Sequence, residues 1–343
     1  MTVSRYTHYN ACVRVDSSAP TRLDLAGGTL DIWPLYLFHN RAQTLNAAIS
    51  LRADCTLTES ADGALQIISD DTKTAARPQP GSILDVPAEH RLVAHLLHFF
   101  KTEGVTIRTR SRSPVGAGLA GSSALSIAVC GGLARWHNRS FSPEALINLA
   151  LNLEAQVIRV PTGTQDYRPA MYGGIAAIEL KPEGIMRVPL SVDPEDLETR
   201  IVLAYTGQSR NSAINNWAIL KNYIDGDHEL RILFDEIIDV AVAMRKSLEA
   251  RDWQEVGHCL AQEWALRKRL YPSVTTDAID ALVTRVLDVG ARAAKICGAG
   301  GGGCLLVFAE PDLLPVVRRE ITIAGASVLE FKIESDGLRV QAN

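Results

Sequence analysis

A glycine-rich segment between a predicted strand and a predicted helix has the residues needed to bind phosphate. Its sequence is Ser-Pro-Val-Gly-Ala-Gly-Leu-Ala-Gly-Ser-Ser-Ala over residues 113–124. Glycines allow the backbone to approach an anion closely, and the free N–H groups and dipole of the following helix attract it. Ser122 and Ser123 add hydroxyl groups at the same point, where one could bind Mg²⁺. The segment predicts a phosphate cradle, and a glycine-rich turn capped by serine is the alternative.

Two well-known phosphate-binding patterns match this loop only in part. Gly116, Gly118 and Gly121 have the spacing of the dinucleotide fingerprint, which requires a second parallel strand and an acidic residue about 20 residues later. Here a second predicted helix follows the first, with Glu144 in its first turn. A dehydrogenase of that type would bind a nicotinamide and not ATP. Gly116 and Gly121 also fit the P-loop, but Ser122 stands where that loop requires lysine.

A second glycine run, Gly-Ala-Gly-Gly-Gly-Gly over residues 298–303, lies between two short apolar segments. Glycine loses more backbone entropy on folding than any other residue, so such a run needs a structural reason. The run predicts a close approach by another backbone or by a ligand. A tight connection between two strands is the alternative.

Composition and charge exclude several classes of protein. The chain has 343 residues, enough for about two domains. Hydrophobic residues make up 47% and charged residues 22%, which excludes wholesale disorder. The formal charge of -4 provides no basic footprint for nucleic acid. The sequence shows no signal peptide, no apolar run that could span a bilayer and no C-x-x-C pair. We therefore expect a cytoplasmic monomer or homodimer with reduced thiols and no membrane or nucleic-acid partner.

The order of predicted elements indicates an α+β protein with two domains. The first half mixes half-solvated strands with helices, which favours a mixed or antiparallel sheet. Strands are predicted at 48–58 and 105–110, and helices at 89–101, 122–136 and 142–158. Residues 209–289 are mostly helical, and strands flank the second glycine run before a helix at 311–323 and two closing strands. We place the boundary near residue 195, which gives domains 1–195 and 196–343.

Together with Ala-Pro-Thr-Arg-Leu-Asp-Leu-Ala-Gly-Gly-Thr-Leu-Asp over residues 19–31, the two glycine segments resemble the three signature motifs of the GHMP small-molecule kinases. We call them motif 1 (19–31), motif 2 (113–124) and motif 3 (298–303). They occur in the order and at the positions usual for the family. Within the family, the chain is most similar to sugar kinases that phosphorylate an anomeric hydroxyl, especially heptose-7-phosphate kinases. That similarity rests on Ala-Gly-Gly-x-x-Asp in motif 1, the long glycine run, Gly163-Thr-Gln-Asp166, Tyr172-Gly173-Gly174 and Tyr205-Thr206-Gly207.

The resemblance implies a ribosomal-S5-domain-2-like N-terminal domain and a ferredoxin-like C-terminal domain, with ATP in the cleft between them. It implies ATP and Mg²⁺ as cofactors and a sugar or sugar phosphate as substrate. Asp166 resembles the catalytic carboxylate, Arg22 the basic residue near the transferred phosphoryl group, and Asp31 a carboxylate that holds sugar hydroxyls. Ser123 and Glu154 resemble the Mg²⁺ ligands. Phosphoryl transfer needs such groups to neutralise the triphosphate and align the acceptor. Whether Asp166 removes the hydroxyl proton or orients that hydroxyl is left open.

The resemblance also implies which residues contact each ligand. Motif 2 would wrap the triphosphate through Pro114, Gly116, Gly118, Leu119, Ala120, Gly121, Ser122 and Ser123. The substrate would contact Asp31, Gly28, Gly163, Gln165, Tyr172, Gly173, Gly300 and Gly301.

Departures from the family leave the substrate open. Galactokinases carry Glu-His after the motif 1 glycine, where this chain has Gly28-Thr29. Heptose kinases have a third glycine and a threonine before the aspartate, where this chain has Thr29 and Leu30. A 7-phosphate substrate would need a basic pocket, for which the candidates are Arg41, Arg168 and Arg210.

Two other functions are compatible with the same motifs. The nearest is a GHMP kinase that acts on a different sugar or a non-sugar alcohol, and another is a non-catalytic sensor that binds nucleotide or sugar on the same scaffold. His90, His95 and His98 lie close in sequence, but the surrounding pattern predicts an amphipathic helix rather than a metal site. The polar stretch 69–85 predicts a mobile loop near the nucleotide.

Overall fold

A computed structural model describes residues 14–208 and 212–343, which contain two β-sheets and the helices packed on them. The strands are β1 (Arg14–Ala26), β2 (Gln43–Glu59), β3 (Gln66–Ser69), β4 (Thr74–Ala76), β5 (Val105–Ser111), β6 (Ile175–Lys181), β7 (Gly184–Pro189), β8 (Ile201–Tyr205), β9 (Ala293–Ile296), β10 (Cys304–Phe308), β11 (Ser327–Leu329) and β12 (Arg339–Ala342). The helices are α1 (Arg91–Phe100), α2 (Gly121–Trp136), α3 (Pro143–Ile158), α4 (Tyr167–Tyr172), α5 (Pro194–Glu198), α6 (Ser212–Ile224), α7 (His228–Ala250), α8 (Trp253–Leu270), α9 (Asp277–Asp288) and α10 (Leu314–Ile323).

The first sheet is organised around β1 and β2, which pair antiparallel over most of their length. Its order is β12-β1-β2-β5-β3-β4, and β6 joins it by pairing with the first part of β2. Strands β3 and β5 pair parallel, whereas the other pairings found in the described residues of this sheet are antiparallel. The mixed sheet predicted for the first half of the chain is confirmed. The polar turn at 181–184 is the end of the β6–β7 hairpin.

The second sheet has the order β11-β8-β10-β9 and is antiparallel. Helices α9 and α10 contribute to a buried cluster with one of its faces, and α7 and α8 to a cluster with the other. The chain passes from the first sheet to the second at α5, which lies between β7 and β8 and close to the boundary predicted at 195. Strand β12, however, returns to pair with β1, so the last residues of the predicted domain 196–343 belong to the first sheet. The exact boundary stays a prediction.

One apolar core joins the two sheets. Leu23 of β1 and Ala47 of β2 lie in the same buried cluster as Leu203 of β8, Met244 of α7 and Leu260 of α8. All five side chains are at most 2% exposed. Because close-packed interiors have few alternative arrangements, this core fixes the loops at the ends of both sheets relative to one another.

Local sequence explains the helices next to motif 2. Helix α3 begins after Ser142, whose side chain accepts a hydrogen bond from the Ala145 N–H at 3.2 Å, and Pro143 occupies its first position. Helix α2 begins after Ala120, which has a left-handed backbone with φ of 62°. The helices predicted at 89–101, 122–136 and 142–158 correspond to α1, α2 and α3 to within two residues at each end.

The remaining sequence predictions about surface and compartment can be placed on this fold. His95 is partly exposed and His98 is exposed on α1, whereas His90, just before the helix, is 1% exposed. The described cysteines are buried free thiols, and Cys12 lies outside the described residues. None of the helices in the described ranges is long and apolar enough to cross a membrane. The cytoplasmic location and the monomeric or homodimeric state stay predictions.

Candidate active site

A cavity of about 430 Å³ brings the three motifs together. Its wall includes most of motif 2, Thr29 and Asp31 of motif 1, and Gly298 and Ala299 of motif 3. The loop between α3 and α4, residues 159–166, closes another side. Ser69, Asp71 and Thr72, at the turn between β3 and β4, also line it. The first part of the stretch 69–85 thus lies beside motif 2. It is not a loop throughout, since Thr74–Ala76 form β4, and its proximity to the nucleotide and its mobility stay predictions.

Motif 2 adopts backbone conformations that explain its glycines. Gly116 and Gly118 have φ of 70° and 73°, in the left-handed region that residues with a side chain avoid. The first residues of α2, Gly121, Ser122 and Ser123, line the cavity. Because the first N–H groups of a helix have no partner within it, this end of α2 offers donors and a positive dipole end to an anion. The predicted phosphate cradle has the required geometry.

Motif 3 supports motif 2 through backbone contact. A Cβ on Gly118 would overlap the carbonyl oxygen of Cys297 and lie 3.1 Å from the carbonyl carbon. A Cβ on Gly298 would in turn lie 2.9 Å from the carbonyl oxygen of Gly118, and the Cys304 N–H donates to the Ala117 carbonyl at 2.7 Å. The glycine run therefore allows two backbones to touch, which is one of the two close approaches that its composition predicts.

Arg22 and Asp166 form an ion pair on the cavity wall. Arg22 Nε donates to Asp166 Oδ1 at 3.0 Å, and Arg22 Nη2 donates to the same oxygen. Arg22 Nη1 donates to the Gly118 carbonyl at 2.7 Å, and its backbone N–H to the Leu119 carbonyl at 3.1 Å. Burial raises the pKa of Asp166, and the positive charge of Arg22 opposes that rise. The pair thus joins motif 1, motif 2 and the start of α4.

Asp31 lies in the same cavity and is 1% exposed. Its Oδ2 accepts the backbone N–H of Gln165 at 2.8 Å. A Cβ at position 163 would overlap this carboxylate, so Gly163 is needed to leave room for it. Burial, together with the nearby charge of Asp166, raises the pKa of Asp31 to about 7. Asp31 can therefore exchange a proton near neutral pH.

The raised pKa of Asp31 predicts a pH-dependent stability. Between about pH 4 and pH 7 the native state holds a proton that the unfolded chain has released, so stability should fall as pH rises through this window. Asp31→Asn removes the titration and keeps an oxygen acceptor for Gln165. We expect this variant to gain about 1–3 kcal/mol relative to wild type between pH 5 and pH 8, measured by urea unfolding at each pH. Asp85→Asn, on the exposed surface, is the control. An Asp31→Asn effect that is the same at both pH values would contradict the prediction.

Glu154 of α3 lies next to the start of α2 and is 4% exposed. It accepts hydrogen bonds from Ser122 Oγ at 2.6 Å, Ser123 Oγ at 3.2 Å and the Tyr167 hydroxyl at 2.6 Å. Burial raises its pKa, and the hydrogen bonds from Ser122 and Tyr167 oppose the rise. A buried carboxylate with serine hydroxyls beside a phosphate cradle is a donor set suited to Mg²⁺, which takes one or two carboxylates and completes its shell with phosphates and water.

Most residues predicted for the site line the cavity. They are Arg22, Asp31, Pro114, Gly116, Gly118, Ala120, Gly121, Ser122, Ser123, Glu154, Gly163, Gln165 and Asp166. Leu119 instead packs its side chain into the core between the sheets. Gly28 lies beside Asp24 and Arg267, whose side chains a Cβ there would overlap.

Besides Gly28, four more residues predicted to contact substrate do not line the cavity. The Tyr172 hydroxyl donates to Glu144 at 2.9 Å, and Gly173 packs against the backbone of residues 335–337. Gly300 packs against Val274, and the Gly301 N–H donates to the Val274 carbonyl at 2.6 Å. The backbone of a distant segment lies against each of these three glycines, and the Tyr172 hydroxyl is bonded to Glu144, so the structure shows packing contacts for all four.

Two of the three arginines considered for a sugar phosphate, Arg41 and Arg168, are not in the cavity wall either. Arg168 is 3% exposed and donates to Glu144 at 2.8 Å, and burial lowers its pKa. Arg41 is exposed and pairs with Asp239 at 2.8 Å. Arg210 lies outside the described residues.

Sequence reasoning missed a group of four buried charges behind motif 1. Asp24, Glu263, Arg267 and Lys295, which we call the buried ionic cluster, are at most 1% exposed. Lys295 Nζ lies 3.6 Å from Asp24 Oδ1 and 3.5 Å from Glu263 Oε1, and Arg267 Nη1 lies 3.4 Å from Asp24 Oδ2. Burial alone would raise the pKa of Asp24, but the charges of Lys295 and Arg267 hold this pKa below its ordinary value. A lysine in the otherwise apolar strand β9 was the available signal.

His90 and Asn216 are two further cavity residues: the sequence drew attention to His90 only as a possible metal ligand and not to Asn216 at all. His90 Nε2 and Asn216 Oδ1 are buried and have no hydrogen-bond partner among the described residues. Neither residue stands in a recognisable motif, so only their position in the fold reveals them.

Comparisons with known proteins agree with the motifs. The family descriptions "GHMP kinases N terminal domain" and "GHMP kinases C terminal" match residues 89–174 and 244–327. The chain is 27% identical over 341 residues to the D-glycero-alpha-D-manno-heptose 7-phosphate kinase of Campylobacter jejuni, covering 95% of this chain and 98% of that protein. It is 30% identical over 250 residues to the mevalonate kinase of Thermococcus sibiricus, covering 70% of each.

Solved structures show the same fold. The crystal structure of a D-glycero-D-manno-heptose 1-phosphate kinase from Bacteriodes thetaiotaomicron superposes with a TM-score of 0.76 at 23% identity, covering 96% of this chain and 99% of that one. The predicted two-domain α+β architecture is confirmed by this match. The chain therefore belongs to the GHMP kinase family and is an ATP-dependent phosphotransferase that acts on an alcohol group.

Proposed function

We propose that this enzyme phosphorylates a sugar or sugar phosphate at the anomeric hydroxyl and releases a sugar 1-phosphate and ADP. The observation that carries the proposal is the Arg22–Asp166 pair, which faces the same cavity as the phosphate cradle of motif 2. The similarity to a heptose 7-phosphate kinase over 95% of the chain supports a sugar as acceptor.

Asp166 is the group proposed to act on the acceptor hydroxyl. Both hydrogen bonds from Arg22 end on Oδ1, and no hydrogen bond from the described residues reaches Oδ2. Oδ2 is thus available to accept the proton of the acceptor hydroxyl while the oxygen of that hydroxyl attacks the γ-phosphorus of ATP. Arg22 keeps the carboxylate oriented and places a positive charge where negative charge increases. Its bond to the Gly118 carbonyl couples this orientation to the phosphate cradle.

Mg²⁺ is proposed to bind at Glu154 and Ser123. The carboxylate now held by Ser122, Ser123 and Tyr167 supplies the negative charge, and the Ser123 hydroxyl supplies a second oxygen. When bound, Mg²⁺ would neutralise charge on the ATP phosphates. The chain's own part is to keep Glu154 next to the first turn of α2, where the Tyr167 hydroxyl fixes one of its oxygens.

The acceptor is proposed to bind at Asp31, Gly163 and Gln165. Gln165 is 5% exposed, lines the cavity, and its Oε1 has no partner among the described residues. A buried amide oxygen without a partner is costly, and a sugar hydroxyl would satisfy it. Asp31 adds a carboxyl group that either donates or accepts near pH 7. Such a cluster suits a polyhydroxylated substrate better than an apolar one.

A coupled ADP-release assay tests the proposal. Mg-ATP is supplied with a panel of free hexoses, 6-deoxysugars, uronic acids, heptose and hexose phosphates, and mevalonate. We expect turnover that depends on a sugar, with kcat/KM above about 10⁴ M⁻¹s⁻¹ for the true substrate. Turnover of mevalonate alone would favour the non-sugar alternative. ATP binding without turnover of any panel member would favour the sensor, and either result would contradict the proposal.

A further inference from the structure

Thr29 holds an unfavourable backbone conformation on the cavity wall. Its φ is 79°, in the left-handed region where a β-branched residue is an outlier. It is 5% exposed and lies two positions before Asp31, in the turn where the Ile32 N–H donates to its carbonyl. Such a conformation persists only where surrounding contacts hold it, so the contacts of Thr29 decide where Asp31 lies.

Arg267 of α8 supplies one of those contacts. Its Nη2 donates to Thr29 Oγ1 at 3.3 Å and to the Gly298 carbonyl of motif 3 at 2.6 Å. One nitrogen thus joins the acceptor side of the cavity to the loop that supports motif 2. Arg267 is 1% exposed and also lines the cavity.

The buried ionic cluster fixes the guanidinium from behind. Arg267 Nη1 donates to Asp24 Oδ2 at 3.4 Å, and Asp24 is held in turn by Lys295. Glu263, one helical turn before Arg267, accepts the Gly27 N–H at 3.2 Å. The buried ionic cluster therefore contacts motif 1 on both sides of Gly28, at Gly27 and at Thr29. A planar fork with several donors can make these contacts together, whereas a lysine cannot.

We infer that Arg267 is a positioning residue for the acceptor: it holds Thr29 in its left-handed conformation and so fixes Asp31 against Asp166. This inference rests on the proposed function. Arg267 acts through motif 1, because Nη1 and Nη2 donate to Asp24, Thr29 and Gly298, and its buried Nε has no hydrogen-bond partner among the described residues.

The first test needs no turnover. Hydrogen–deuterium exchange is followed in peptides covering residues 27–35 for wild type and Arg267→Lys, which keeps the charge and loses the fork. We expect exchange there to be at least about tenfold faster in the variant, while peptides of α2 stay unchanged. Arg269→Lys, on the exposed side of the same helix, is the matched control and should change exchange neither at residues 27–35 nor in α2. Unchanged exchange at 27–35 would overturn the inference.

The second test distinguishes an effect on the acceptor site from an effect on the nucleotide site. With the panel sugar that wild type turns over fastest, Arg267→Lys should lower kcat/KM for the sugar about 10- to 100-fold. It should raise the KM for ATP by a smaller factor, below about fivefold, since the bond to the Gly298 carbonyl of motif 3 is lost as well. Thr29→Ala removes the hydroxyl partner, and the double variant Thr29→Ala/Arg267→Lys should be no worse than Arg267→Lys alone. Additive losses, or equal losses for ATP and sugar, would overturn the inference. Absence of any wild-type turnover would contradict the proposed function instead, and the exchange result would still decide whether Arg267 holds motif 1.

Discussion

Asp166→Asn is expected to lower kcat about 100- to 10,000-fold, because an amide cannot accept the proton of the acceptor hydroxyl. The asparagine keeps an oxygen that can accept hydrogen bonds from Arg22, so the geometry of the pair is retained. Steady-state ADP release at saturating ATP and sugar measures the loss. The KM for ATP should change little, since motif 2 and α2 bind the triphosphate.

The variant must also be shown to fold, because Arg22 is 2% exposed and loses its counter-charge. The Asp166 side chain is 22% exposed, so the cost should stay below the about 3–5 kcal/mol that is common when one partner of a fully buried pair is removed. Melting in the presence and absence of Mg-AMPPNP is therefore the control, and the analogue should stabilise variant and wild type alike. If Asp166→Asn folds, binds the nucleotide analogue and retains more than about a tenth of wild-type kcat, proton transfer to Asp166 is not a major part of the mechanism.

Gly118→Ala is expected to raise the KM for ATP about 10- to 100-fold. The added Cβ would overlap the Cys297 carbonyl oxygen, and φ at this position is 73°. Motif 2 would have to move away from motif 3, and overpacking of this kind commonly costs about 1–3 kcal/mol. The loop amides would then no longer converge on the phosphates. Initial rates across ATP concentrations, at a fixed saturating sugar concentration, measure the effect.

Gly63→Ala is a matched control for that substitution. Gly63 has nearly the same φ, 70°, but a Cβ there meets nothing within 4 Å. Backbone strain should cost both variants about 1 kcal/mol of stability, and Gly118→Ala should lose about 1–3 kcal/mol more through overpacking, both measured by urea unfolding. Only Gly118→Ala should affect ATP. Equal KM values for the two variants would show that contact between motifs 2 and 3 does not shape the nucleotide site.

The sequence predicted the parts of this site that depend on local chemistry. A glycine loop before a helix with serines at its start needs specific backbone conformations, and the φ values of Gly116 and Gly118 agree with that need. The start of α3 at Pro143, after the capping residue Ser142, likewise agrees with the helix predicted at 142–158. Such signals are contained in a few consecutive residues, so they can be recognised without knowledge of the fold.

Contacts between distant segments were harder to predict. The sequence gives no register between α8 and β1, so it could not show that Arg267 reaches Thr29 or that Lys295 pairs with Asp24. Tyr172 was assigned to the substrate because Tyr172-Gly173-Gly174 resembles the corresponding segment of heptose-7-phosphate kinases. In the fold, the short helix α4 carries it away from the cavity and towards Glu144.

The central claim is that the enzyme transfers a phosphoryl group to an anomeric oxygen and that Asp166 is needed for this step. Phosphorus NMR of the product made by wild type and by Asp166→Asn, from the best sugar of the acceptor panel, tests this in one experiment. We predict a phosphate resonance split by coupling to the anomeric proton in the wild-type reaction and none from the variant in the same time. A phosphate on another hydroxyl, or equal product from both proteins, would contradict the account.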